Sequence, residues 1–111
     1  MNKQDFNNLK TYKSKHSNAH YTKNIENRVI SISKIFDFAY EYLSDNFCKI
    51  NNKIFDLYFY EKQSDLVDGL CIISGFKKEW TKYFEKRGAP RPINEIIHVS
   101  PFFQNYEIIH E

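Results

Sequence analysis

From Asn24 onward, Ile25, Val29, Ile32, Phe36, Ala39, Leu43 and Phe47 recur at intervals of four and three. This is the period of one helical face and predicts a long helix over about 24–48, with Asn24 as N-cap and Glu26 in the dipole-favoured first turn. Ile35, Phe38, Tyr40 and Tyr42 widen the stripe past the usual ~100° arc. The helix is therefore either central to the core or offers a second face to a partner. After the turn residues Asn46, Asn51 and Asn52, the run KIFDLYFY over 53–60 reads as a strand. LVDGLCIIS over 66–74 reads as another, with Gly69 as a bulge or close-approach point, and the polar EKQSD between them completes an antiparallel β-hairpin. Helical spacing returns over 76–87, with Phe76, Trp80 and Phe84 toward the core and Lys78, Lys82 and Lys86 opposite. Gly88 then stops the helix and Pro90 and Pro92 forbid its continuation. Ile93–Val99 and Tyr106–Ile109, separated by Pro101, each fit a terminal strand or short helix. Residues 1–23 hold few large apolar groups (Phe6, Leu9, Tyr12, Tyr21) and read as a partly ordered basic arm. The expected fold is α+β, with this arm followed by a single domain over 24–111: long N-terminal helix, antiparallel hairpin, short second helix, C-terminal strand or helix.

Composition adds a modest, ring-rich core, since aromatics make up 17% of 111 residues. Net charge is only +2, yet residues 1–24 carry five Lys against one Asp, and residues 77–91 carry six cations against two Glu. Each segment is +4 and the remainder −6, a split that orients binding to a charged partner. No apolar stretch approaches the ~20 residues of a membrane span, and the N-terminus lacks the apolar core of a secretory signal. A cytoplasmic protein with no membrane association is expected. Cys48 and Cys71, with 22 residues between them, read as reduced, buried thiols and supply too few ligands for a metal.

Candidate chemistry is sparse. His16 and His20 share a helical face at i, i+4, but neither a carboxylate nor a third ligand stands between them. His98 and His110 lie in the apolar tail without a nucleophile or carboxylate at a telling spacing, and Asp65 and Asp68 fit a solvated loop exit. Phosphate-binding and hydrolase motifs are missing, and the chain has only three glycines. No cofactor, metal or catalytic residue is expected. The positive lead is a set of cations, Lys78, Lys82, Lys86, Arg87 and Arg91, with Lys13 and Lys15 of the arm and Arg28 of the long helix. They suit phosphates or acidic side chains, arginine being the better bidentate anchor, and Trp80 or Tyr83 would stack if exposed.

Ile72–Lys78, a strand-like run closing on Gly-Phe-Lys-Lys, and Pro92–Ile96, Pro-Ile-Asn-Glu-Ile, resemble a series in RelE/HigB-like ribonuclease toxins. That resemblance implies 2′-OH attack directed by Lys77, Lys78 and His98. Those toxins open with a strand, however, whereas this chain opens with a polar arm and a long helix. As a class, a small Asn-, Lys-, Ile-, Phe- and Tyr-rich domain with segregated charge resembles phage and mobile-element proteins that inhibit bacterial defence, anti-CRISPR proteins among them. The expected function is accordingly a non-enzymatic binding protein that inhibits or regulates a protein or nucleoprotein partner, such as a Cas effector or its guide RNA. The alternatives are a RelE-like mRNA endoribonuclease and a small nucleic-acid-binding regulator.

Overall fold

The computed structural model describes residues 1–46 and 53–101. The elements are α1 (Lys3–Asn7), β1 (Lys10–Lys13), β2 (Ser17–Tyr21), α2 (Glu26–Asn46), β3 (Phe55–Phe59), α3 (Gln63–Ile72), a 3₁₀ segment (Lys78–Phe84) and β4 (Ile96–Val99). The strands form one sheet in the order β1-β2-β3-β4, in which β1 and β2 are antiparallel while β2, β3 and β4 run parallel. The α+β class holds, and β4 lies within the run expected to end the domain.

Register divides the sheet into two faces. Ala19, Leu57 and Ile97 are cross-strand neighbours and, with Tyr21, Phe59 and Val99, pack against Val29, Ile32 and Phe36 of α2. One residue further along, His20, Tyr58 and His98 form the neighbouring row on the opposite face. There Tyr60 is packed with Phe6 of α1 and Leu66 and Leu70 of α3 in a second, smaller core.

Three expectations are corrected. The hairpin over 53–74 does not form, because its second half is the helix α3. The buried residues Gln63, Leu66 and Leu70 recur at three and four, and Gly69 is a close-approach point, where the helix rather than a strand meets the Tyr60 ring, and not a bulge. The supposed arm over 1–23 is integral to the fold. Asn2 and Asp5 cap α1 reciprocally, Phe6 is buried, and Ser17, Ala19 and Tyr21 of β2 point inward under α2. Small and hydroxylated side chains fill those inward positions, so a strand read by large apolar residues is invisible there. Asp37 of α2 then clamps the β1–β2 turn by accepting from the Lys15 and His16 backbone N–H groups at 3.1 and 2.9 Å and from Ser14 Oγ at 3.1 Å. Finally, Asn24 lies in a 3₁₀ turn (Lys23–Ile25) ahead of α2 and is not its N-cap. The alternative of a strand or helix over Tyr106–Ile109 lies outside the described residues, as does Cys48. Cys71 sits half-buried on α3 rather than in a strand.

Ser33 faces the sheet from α2 with its hydroxyl buried and, among the described residues, without a hydrogen-bond partner. A lone buried hydroxyl is costly, and alanine is the better helix former. Ser33→Ala is expected to raise stability by about 1 kcal/mol in urea denaturation; a loss of stability would mean that the hydroxyl is satisfied.

Candidate nucleic-acid interface

The basic segment is a 3₁₀ helix rather than an α-helix, and this changes which residues face out. In a 3₁₀ helix, side chains eclipse at i and i+3. Lys78, Thr81 and Phe84 therefore share a column: Thr81 is buried, its Oγ1 donates to the Lys78 carbonyl at 2.6 Å, and Phe84 is packed against the Tyr60 core. The column Lys77, Trp80, Tyr83 turns to solvent. Trp80 is 50% exposed and Tyr83 87% exposed, so the expectation that Trp80 joins Phe76 and Phe84 in the core is corrected. Phe76 does pack there, and it meets the Trp80 ring edge-on at 6.2 Å.

Several features hold the segment. Gly75, at φ 70°, turns the chain so that Phe76 N–H reaches the Leu70 carbonyl at 2.9 Å. At the other end the buried Gln63 of α3 donates its amide to the Phe84 and Gly88 carbonyls, at 2.6 and 2.8 Å. The platform is thus pinned to α3 while its aromatic column stays outside. Lys77 Nζ stands 5.4 Å from the Trp80 ring centroid, a cation–π distance.

The sequence-selected cations separate into two groups. Lys78, Lys82, Lys86, Arg87 and Arg91 are all exposed along this one stretch, and among the described residues none of them, nor Lys77, is in an ion pair. The others lie elsewhere. Lys13 is on β1, at the sheet edge opposite β4. Lys15 pairs with Glu41 at 2.6 Å, which raises the lysine's pKa and lowers the glutamate's. Arg28 is half-buried on α2 and donates to the Ser100 carbonyl at 3.4 Å. What the reading by period four missed was the outward pair Trp80 and Tyr83.

The structure also assembles a row that sequence spacing did not reveal. Thr11, His20, Tyr58 and His98 are successive cross-strand neighbours across all four strands. His20 bonds Thr11 Oγ1 through Nδ1 and Asp56 Oδ1 through Nε2, and its ring stacks on Tyr58. His98 is 1% exposed, with Tyr60 Oη at 2.7 Å from Nδ1 and Ser74 Oγ at 2.7 Å from Nε2. A neutral imidazole has one N–H and one lone pair, so one hydroxyl donates to the ring and the other accepts from it. Lys77, Lys78 and His98 do not converge as the RelE/HigB resemblance implies: the lysines face solvent, while His98 is enclosed with both ring nitrogens engaged.

Burial lowers the His98 pKa from 6.5 to about 4. The unfolded chain takes up this proton near pH 6.5 and the folded chain only near 4, so the stability is complete above 6.5 and is lost as pH falls toward 4. The displacement corresponds to about 3 kcal/mol. Urea denaturation at pH 7, 5.5 and 4 is expected to show that loss. His98→Gln, which keeps two hydrogen-bonding ends, should flatten the slope in this window; an unchanged slope would assign the acid sensitivity to other groups.

Among the described residues, no group of three or more His, Cys, Asp or Glu is placed to hold a metal ion, and no helix is long and apolar enough to cross a membrane. No protein-family model matches the chain, and neither a curated protein nor a solved structure matches it.

Proposed function

We propose that this is a non-enzymatic binding protein that engages the RNA strand of a nucleoprotein through the stretch from Lys77 to Arg91, and thereby inhibits or regulates that nucleoprotein. The observation that carries the reading is the outward column of Trp80 and Tyr83 among cations with no ion-pair partner within the described chain. An unpaired base is bound by stacking on an aromatic face while lysine and arginine neutralise the adjoining phosphates. Arg87 and Arg91 supply the bidentate anchors, and the lysines supply field and salt dependence. Protein acidic groups would satisfy the cations equally well but would leave the two rings without a matching function.

The resemblance in composition and charge layout to phage anti-defence proteins makes an RNA-guided CRISPR-Cas complex, met in the cytoplasm, the first partner to test. Binding is stoichiometric and leaves the RNA intact. Replacing Lys82, Lys86, Arg87 and Arg91 by Glu is the test: the variant should lose the partner in a pull-down while its melting temperature stays nearly constant. Undiminished binding would remove this segment as the site.

A further inference from the structure

The long helix has a second unburied surface that the basic segment does not use. The buried residues of α2 (Val29, Ile32, Ser33, Phe36, Ala39 and Tyr40) define its inner face. Directly opposite stand Phe38, 71% exposed, and Tyr42, 51% exposed, whose rings stack on each other at 6.5 Å. Together with Ala39 and Leu43 they line a shallow apolar groove of about 240 Å³.

Charge on the same outer flank indicates what covers it. Lys34 and Asp45 are eleven residues apart, three helical turns, so they share a flank on either side of the aromatic pair, about 16 Å apart along the axis. Both are exposed, and among the described residues neither is in an ion pair. The intervening Glu41 is already paired with Lys15, and Asp37 is occupied by the β1–β2 turn.

We propose that two copies of the chain associate through this face with their α2 helices antiparallel, the Phe38–Tyr42 patches in contact and Lys34 of each copy opposite Asp45 of the other. A two-fold axis crossing α2 near residue 40 produces both charge pairs at once, and such an isologous contact closes on itself. A parallel pairing would set Lys34 against Lys34 and Asp45 against Asp45.

One helix pair is a small interface, so the dimer should be weak, with a dissociation constant on the order of 100 µM. Sedimentation velocity from about 10 µM to about 1 mM spans that range. The full chain should move from monomer to dimer, and Phe38→Glu should remain monomeric throughout. Lys34→Glu alone or Asp45→Lys alone should weaken association about tenfold, since each sets like charges together at two symmetric positions. The double exchange K34E/D45K should restore it. All three positions are exposed, and circular dichroism verifies that the variants remain folded. A wild-type monomer at the highest concentration, or Phe38→Glu dimerising like wild type, would overturn the proposal. Failure of the double exchange to restore association would overturn the antiparallel register.

Discussion

Gly69→Ala is expected to destabilise the protein by about 3 kcal/mol, although glycine to alanine inside a helix is ordinarily worth ~1 kcal/mol in the opposite direction. A Cβ at Gly69 would lie 2.1 Å from Tyr60 Oη, 2.6 Å from Cζ and 2.8 Å from Cε1. Tyr60 is a rigid ring closed in by Phe6, Leu66 and Leu70, and its hydroxyl is held by His98 at 2.7 Å. The ring has to move, and the move strains the packing and separates a buried hydroxyl from a buried imidazole. Thermal unfolding should show a fall in Tm of about 10 °C or more. Tyr60→Phe removes the most crowded atom, so G69A should cost less in that background than in wild type. A neutral or stabilising Gly69→Ala would mean that α3 does not cross Tyr60 at this point.

That close approach also shows what the sequence could and could not reveal. The long helix was legible because α2 carries large apolar residues at helical spacing, and β3 because β-branched and aromatic residues are concentrated there, whereas the four residues of β4 are too few for spacing to separate a strand from a short helix. In 63–72 the helical set is Gln63, Leu66 and Leu70, with a glutamine and a glycine at positions a hydrophobic count discards. The Val, Cys and Ile residues between them imitate a strand. β2 was concealed for a related reason: Ser17 and Ala19 are core residues only because α2 lies above them. At the candidate site the cations from Lys78 to Arg91 were found by charge alone. Which rings accompany them depends on whether the backbone repeats every three residues or every 3.6, and that choice is made by tertiary anchors, chiefly Gln63 on the Phe84 and Gly88 carbonyls. The row Thr11, His20, Tyr58, His98 is a product of strand order and register, to which spacing along the chain is blind.

Removing both outward rings, Trp80→Ala with Tyr83→Ala, is expected to weaken binding of single-stranded RNA, or of a complex that carries it, about 100-fold, because each stacked base contributes ~1–3 kcal/mol. Stability should fall by no more than about 2 kcal/mol, mostly from the edge contact of the half-buried Trp80 with Phe76. Trp80→Phe and Tyr83→Phe keep a π-face and should retain most of the affinity. The double alanine variant and the charge-reversal variant should differ in kind. Losing the rings lowers affinity at every salt concentration, whereas replacing Lys82, Lys86, Arg87 and Arg91 by Glu also flattens the salt dependence.

Trp80 is the only tryptophan in the chain, so its fluorescence reports directly on the proposed contact. The most direct measurement is a titration of the full chain with a short single-stranded RNA, following Trp80 emission at a series of salt concentrations. Saturable quenching, intact RNA at the end point, and log K falling linearly with log salt are expected, with a slope of about −2 to −4 for roughly three to five neutralised phosphates. Unperturbed Trp80 emission at saturating RNA, or an affinity independent of salt, would contradict the proposed contact.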